Sequence, residues 1–112
     1  FADSLGNMNP SQVKRIVEDI RTEWSGTLGI HTHDNMGLAL ANSMEAIDCG
    51  TTWVDGTVFG MGRGAGNAST EDILLQLVST DSQRFFPTAI FELIRKDFEP
   101  LMEKYDWGGG EA

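Results

Sequence analysis

Residues 29–35 read Gly29-Ile30-His31-Thr32-His33-Asp34-Asn35, a short apolar entry followed by two histidines and two further polar residues. Side chains alternate along a strand, so His31 and His33 share one face at about 6–7 Å from each other, while Ile30 and Thr32 share the face that suits packing against helices. Two imidazoles at this spacing can bind one metal ion, although two core or surface histidines give the same pattern. Asp34 ends the strand, where it can cap the next helix or hydrogen-bond to an imidazole. The stretch predicts a strand with candidate metal ligands near its carboxyl end.

Helical and strand patterns alternate around this stretch. Apolar residues at helical spacing predict a helix over residues 9–25, capped by Asn9 and with Trp24 on its apolar face, and a second helix over residues 36–49. Residues 52–58 are β-branched and aromatic, which predicts another strand. This alternation indicates the α/β class, with a parallel sheet and crossover helices.

Polar residues inside or next to these elements are candidates for the site. Asp3 follows a segment that reads as the end of a strand, where α/β barrels build their active sites, so it is a substrate-site candidate with loop capping as the alternative. Asp55 lies in the predicted strand over 52–58, and a carboxylate there needs a hydrogen bond or a nearby cation. It either supports a histidine of the site or has a purely structural role. Asn42, inside the second helix, is expected to tie that helix to a neighbouring loop.

A glycine-rich loop follows, Gly60-Met61-Gly62-Arg63-Gly64-Ala65-Gly66-Asn67. Its backbone is free to adopt positive φ and to approach a ligand closely, which makes Gly62 and Gly64 substrate-site candidates. A dinucleotide-binding loop would open a helix within a βαβ unit and be followed by an acidic residue about 20 positions on, and no such downstream pattern is present. Ser69-Thr70-Glu71-Asp72 then resembles a capping box and predicts a helix after the loop.

The last third of the chain has a different pattern. Residues 80–83 read as a linker, and the apolar residues that follow predict helices that Pro100 kinks or restarts. Residues 107–110, Trp107-Gly108-Gly109-Gly110, are expected to be flexible. We expect residues 80–112 to form a helical extension after a domain that ends at residue 79.

Composition excludes several classes of function. The chain has 17 acidic and 8 basic residues, a net charge of −9, so neither nucleic acid nor an anionic membrane is an expected partner. No apolar stretch is long enough to span a membrane. The single cysteine, Cys49, fits a reducing cytoplasm, where we expect the protein to be located.

Three motifs together resemble one enzyme family. The patterns H-x-H-D-N-x-G-x-A-x-A-N from His31, V-D-G-T from Val54 and G-x-G-x-G-A-G-N from Gly60 are similar to those of the metal-dependent aldolases, lyases and synthases related to HMG-CoA lyase. The resemblance implies a (β/α)₈ TIM barrel. Because 112 residues are less than half of the roughly 250 that such a barrel needs, we expect a fragment, with residues 1–79 as its C-terminal half.

The resemblance also implies roles for individual residues. His31, His33 and Asn67 are expected to bind a divalent metal, Mn²⁺, Mg²⁺ or Zn²⁺, with Asp34 and Asp55 supporting them. The family's remaining ligand, an Asp on the first barrel strand, and its general base are expected outside this chain.

The implied reaction is the making or breaking of a carbon–carbon bond through a metal-stabilised enolate. The loop ending G-A-G-N looks most like the aldolases that cleave a 4-hydroxy-2-oxo acid into pyruvate and an aldehyde, and it lacks the cysteine expected of an HMG-CoA lyase. The resemblance implies a 2-oxo acid substrate and an oligomeric full-length protein. Two alternatives stay open: an acyl-CoA condensing synthase of the isopropylmalate or homocitrate type, and a non-catalytic half-barrel.

Overall fold

The computed structural model describes residues 1–79 and 87–107. In chain order the elements are α1 Pro10–Arg21, β1 Gly29–Ile30, α2 Ala39–Asp48, β2 Trp53–Val54, a 3₁₀ turn Val58–Gly60, α3 Thr70–Val78, α4 Thr88–Leu93, a π-helical turn Ile94–Phe98 and α5 Glu99–Tyr105. Within these two ranges, no helix is long and apolar enough to cross a membrane. The linker predicted at 80–83 and the glycines at 108–110 lie outside the described residues.

The sheet is parallel, and its neighbours follow chain order. β1 pairs with β2 in parallel. Single parallel bridges extend this order on both sides, from Ala2 to His31 and from Thr57 to Ser69. The regular strands are shorter than predicted because their outer residues meet partners only at single positions. The α/β class with helical crossovers, α1 and α2, is confirmed.

One face of the sheet packs against helices and the other is open. The main core joins α1 and α2 to the alternate residues of the strand, and its buried members are Val13, Val17, Leu28, Ile30 and Ala46. The predicted alternation of faces is therefore correct. The opposite face of the sheet carries exposed or half-exposed side chains, including Trp53 at 68% exposure.

The start of α1 is as predicted, but its end is not. Asn9 caps the helix in a reciprocal capping box with Gln12, and Pro10 occupies the first turn. The helix ends at Arg21, and Trp24 is 54% exposed, so the prediction of Trp24 on the buried face is wrong. Its indole Nε1 donates a hydrogen bond to the carbonyl of Thr27, which places the ring over the turn that leads into the next strand.

The second helix begins three residues later than predicted. Asp34 Oδ1 accepts a hydrogen bond from the amide of Ala39, and Gly37 takes a left-handed φ of 70°, so the chain turns before α2 starts. Met36 consequently lies outside the helix and is exposed. The buried side of α2 is made of small residues and Asn42, whose Nδ2 donates to the carbonyl of Met8 at 2.9 Å. The predicted tie between Asn42 and a neighbouring loop is confirmed.

Two predictions for the C-terminal part of the chain are wrong, namely the capping box at Ser69 and a flexible Trp107. The Ser69 side chain makes no capping bond to α3 and instead donates to Asp72 Oδ2 at 2.6 Å, so the capping box is absent. A π-helical turn precedes α5, and Pro100 lies in the first turn of that helix, where its missing N–H costs little, so the prediction that the helix restarts at Pro100 is confirmed. Trp107 is only 6% exposed, so the prediction that it is flexible is wrong.

Candidate functional site

The two histidines lie together on the open face of the sheet. Their ring centroids are 4.9 Å apart, with the ring planes at 70°. The His31 side chain is 36% exposed, so solvent and ligands can reach it. The strand alternation thus brings two potential nitrogen ligands side by side, as the spacing predicts.

Asp55 holds the His31 ring from the neighbouring strand. Its Oδ2 lies 3.0 Å from His31 Nδ1. The parallel pairing of β1 with β2 places these two residues opposite each other. A carboxylate that accepts a hydrogen bond from Nδ1–H favours the tautomer in which Nε2 has a free lone pair, and in this form histidine can bind a metal through Nε2.

Asn67 lies next to His33 and has an unused oxygen. The two residues form an antiparallel bridge, and Asn67 Nδ2 donates to the carbonyl of Met61 at 2.9 Å. Asn67 Oδ1 is buried and has no hydrogen-bond partner among the described residues, a property it shares with one side-chain oxygen each of Asn42, Thr51 and Thr57. Leaving a buried oxygen unpaired costs about 1–3 kcal/mol, so a cation beside it would stabilise the site.

Asp3 and Asp34 both bind backbone amides. Asp3 is 2% exposed, and its two carboxylate oxygens accept hydrogen bonds from the amides of Asn7 and Met8. Asp34 caps α2, and its own amide donates to the carbonyl of Gly66 at 3.0 Å. Both side chains therefore cap backbone amides, and a supporting role of Asp34 beside the histidines stays a prediction. A substrate contact of Asp3 stays a prediction.

The glycines of the loop provide space as well as backbone freedom. Gly60, Gly64 and Gly66 have positive φ angles of 66°, 64° and 85°. A Cβ atom on Gly62 would overlap the side-chain amide of Asn67, so this glycine makes room for the candidate ligand. Substrate contacts of Gly62 and Gly64 stay predictions.

Three residues beside the loop carry no signal in the sequence pattern. Phe59 has a left-handed φ of 58°, its amide donates to Glu71 Oε1, and its carbonyl accepts from Trp107 Nε1. Glu71 reads as an ordinary acidic residue of a first helical turn, and Trp107 as part of a glycine-rich tail. These residues line a cavity of about 580 Å³ together with Asp34, Asn67 and Phe91.

In the described parts of the chain, the remaining His, Cys, Asp and Glu side chains form neither a second candidate metal site nor an activated nucleophile. Across residues 1–79 and 87–107, no three His, Cys, Asp or Glu side chains come together as a metal-binding group. A metal on His31 and His33 would thus need the Asn67 amide and a further ligand. Burial, followed by the Glu45 carboxylate, raises the pKa of the Cys49 thiol, which keeps it in its poorly nucleophilic form.

Comparison with known proteins gives consistent matches. The HMGL-like family model matches residues 1–91. The chain is 45% identical over 77 residues to 4-hydroxy-2-oxovalerate aldolase of Carboxydothermus hydrogenoformans, covering 69% of this chain and 23% of that protein. It is 35% identical over 98 residues to oxaloacetate decarboxylase of Mycobacterium tuberculosis, covering 82% and 29%, and 39% identical over 79 residues to 2-isopropylmalate synthase of Brevibacillus brevis, covering 67% and 15%.

A solved structure agrees with these sequence matches. The N-terminal domain of a Bacteroides vulgatus protein classed as an aldolase superposes with a TM-score of 0.89 at 39% identity, covering 96% of this chain and 36% of that one. The chain spans 23% and 29% of the length of the first two curated relatives above. The family resemblance of the three motifs is therefore confirmed, and the chain belongs to the HMGL-like family.

Proposed function

We propose that the chain is part of a divalent-metal-dependent aldolase that cleaves a 4-hydroxy-2-oxo acid to pyruvate and an aldehyde, or forms that bond in reverse. The observation that carries the proposal is that Asn67, whose buried Oδ1 has no hydrogen-bond partner among the described residues, forms a backbone bridge with His33, and that the His33 ring lies 4.9 Å from the His31 ring. Two neutral imidazoles and one amide oxygen suit Mn²⁺, Mg²⁺ or Zn²⁺ and leave coordination positions for a substrate.

The ligand atoms would be the free ring nitrogens of His31 and His33 and Oδ1 of Asn67. When bound, the ion supplies Lewis-acid polarisation of the 2-oxo carbonyl. Asp55 keeps the proton on His31 Nδ1 and so keeps Nε2 available. In cleavage, a base takes the proton of the 4-hydroxyl, the C3–C4 bond breaks, C4 becomes the aldehyde carbon, and C3 is protonated to give pyruvate. No residue of this chain is assigned as that base, which we place elsewhere in the protein.

The proposal also includes the position of this chain within a complete TIM barrel. Residues 1–79 would form the C-terminal half of a TIM barrel, and residues 80–112 its helical extension. Support comes from parallel pairings in chain order, from helices that cover only one face of the sheet, and from histidines on the uncovered face. A full barrel would enclose that face. An oligomeric assembly of the whole protein belongs to this proposal as well.

The main competitor is an acyl-CoA condensing synthase, since the chain also matches 2-isopropylmalate synthase. The aldolase is favoured by its higher identity to the chain and by the loop ending Gly64-Ala65-Gly66-Asn67, which resembles the aldolase branch. A non-catalytic half-barrel is the other alternative.

The experiment that tests the proposal is a pair of assays on the metal-loaded full-length protein that contains this chain. We expect pyruvate to form from a 4-hydroxy-2-oxo acid in the presence of Mn²⁺, followed with lactate dehydrogenase as the coupling enzyme. The parallel assay offers acetyl-CoA and a 2-oxo acid and measures release of the coenzyme A thiol. Thiol release without pyruvate formation would favour the synthase, and inactivity in both assays would favour the non-catalytic alternative.

Asn67→Ala is expected to weaken Mn²⁺ binding about tenfold or more while changing the melting temperature little. Removing a residue that only hydrogen-bonds to a metal ligand typically lowers metal affinity about 10–100-fold, so removing a ligand should cost at least as much. The melting temperature should change little because Asn67 lies at the end of a loop and not in the core. Calorimetric titration with Mn²⁺ and thermal unfolding measure the two effects. The matched control is Asn7→Ala. Asn7 is exposed, and its hydrogen bond to Asp3 Oδ1 comes from the backbone amide, which the substitution keeps. A large loss of melting temperature with unchanged affinity would assign Asn67 a structural role.

A further inference from the structure

Phe59 has a backbone conformation that phenylalanine rarely adopts. Its φ is 58° and its ψ is 24°, in the left-handed region. A bulky residue is strained there, and such strain persists only where surrounding contacts fix the conformation. The residue lies within the 3₁₀ turn Val58–Gly60, immediately before the glycine-rich loop, so its conformation sets the direction in which the chain enters the loop.

Two nearly buried side chains hold both peptide groups of Phe59. Glu71 Oε1, from the first turn of α3, accepts a hydrogen bond from the Phe59 amide at 2.9 Å. Trp107 Nε1, just after α5, donates to the Phe59 carbonyl at 2.9 Å, and the two aromatic rings meet edge to face with centroids 6.4 Å apart. Glu71 and Trp107 are each 6% exposed. We call these two residues the Phe59 clamp.

The residues directly after Phe59 hold Asn67. The Gly60 carbonyl accepts a hydrogen bond from the Asn67 amide at 3.1 Å, and the Met61 carbonyl accepts one from Asn67 Nδ2 at 2.9 Å. These two bonds leave Oδ1 as the one polar atom of the Asn67 side chain without a partner among the described residues. A rotation of the Phe59 backbone would move both carbonyls and change where Oδ1 points.

The geometry points to Glu71 and Trp107 as positioning residues that act through Phe59 to hold Asn67 Oδ1 in place for a metal ion. This inference rests on the proposed metal site. In the described part of the chain, the side-chain hydrogen bonds of both residues go to Phe59, so their proposed effect is on the orientation of Asn67. The inference also gives Trp107 a defined task, since it connects the C-terminal helices to the site.

Trp107→Phe tests the clamp, because it keeps an aromatic ring and removes only the donor. We expect amides of residues 60–67 in the metal-free protein to exchange with deuterium roughly three- to tenfold faster, as for the loss of one net hydrogen bond, and the Kd for Mn²⁺ to rise by a similar factor. The matched control is Trp24→Phe. It also removes a hydrogen bond from an indole Nε1 to a backbone carbonyl, that of Thr27 at 3.0 Å, but just after the C-terminal end of α1. The control is expected to change neither measurement.

Glu71 provides an independent pair of variants. Glu71→Gln keeps an oxygen that accepts the Phe59 amide, so loop exchange and Mn²⁺ affinity should stay near wild type. Glu71→Ala removes the acceptor, and both quantities should shift in the same direction as in Trp107→Phe. This pair tests the same link from the opposite side of Phe59.

The outcomes separate the clamp from the metal site. Loop exchange and Mn²⁺ affinity that are the same in Trp107→Phe as in Trp24→Phe, or the same in Glu71→Ala as in Glu71→Gln, would overturn the clamp. Faster loop exchange with unchanged Mn²⁺ affinity would also overturn it, since the clamp would then not reach the ligand. A wild-type protein that binds no Mn²⁺ would refute the proposed function, whereas the exchange measurements on the metal-free protein would still test whether the clamp orders the loop.

Discussion

Replacing His31 and His33 together with alanine is expected to abolish stoichiometric Mn²⁺ binding and leave the fold intact. The double variant removes two of the three ligand side chains proposed in this chain. Mutations of residues that only hydrogen-bond to metal ligands lower affinity by up to about a hundredfold. Loss of two ligands should therefore lower the Mn²⁺ affinity by more than about a hundredfold. Both rings lie on the open face of the sheet, outside the core formed by α1, α2 and β1, so the melting temperature should change by only a few degrees.

The measurement is metal content per chain after dialysis against Mn²⁺, together with thermal unfolding. Trp53→Ala is the control, because Trp53 is exposed on the same sheet face and offers no metal ligand. The control should retain its metal. A double variant that still holds one equivalent of Mn²⁺ would show that the ion binds elsewhere and would remove the basis of the proposed function.

Local rules predicted those parts of the fold that local chemistry determines. The capping box at Asn9 and the alternation that separates His31 from Ile30 each depend on residues within a few positions. The predictions for Trp24 and Met36 are wrong because each helical pattern extends beyond the observed helix: Trp24 lies after the end of α1, and Met36 lies before the start of α2. Helix ends are set by bonds such as that from Ala39 to Asp34, and a periodic pattern contains no such information.

The sequence named candidate ligands and offered Asp55 as one possible support of a histidine, but it did not predict the contacts of Phe59. The spacing of the histidines is local, and the role of Asn67 came from the family resemblance. The contact of His31 with Asp55 needs the register of two strands, which the sequence does not specify. The contact of Phe59 with Trp107 joins residues 48 positions apart, and its geometry depends on how the C-terminal helices return to the loop. Long-range hydrogen bonds of this kind leave no periodic signal.

Gly66→Ala is expected to destabilise the protein by about 2–4 kcal/mol and to weaken metal binding at the same time. Gly66 has a φ of 85°, and a Cβ atom there would overlap the carbonyl oxygen of Gly60. The cost combines left-handed strain with displacement of backbone, which cannot rotate away as a flexible side chain can.

Gly37→Ala separates these two causes. Gly37 has a similar φ of 70°, but a Cβ atom there would meet nothing within 4 Å. Its cost should be about 1–2 kcal/mol, the penalty for a left-handed residue alone. Urea unfolding of both variants gives the difference directly.

The effect of Gly66→Ala on metal binding follows from its two connections. The Gly66 carbonyl accepts the amide of Asp34, the residue after His33, and Gly66 itself precedes Asn67. Moving Gly66 therefore moves a histidine and the candidate oxygen ligand together, so Mn²⁺ affinity should fall in Gly66→Ala and stay near wild type in Gly37→Ala. Equal losses of stability in the two variants would mean that the loop yields to the added methyl group, and an unchanged affinity in Gly66→Ala would show that the loop does not set the distance between His33 and Asn67.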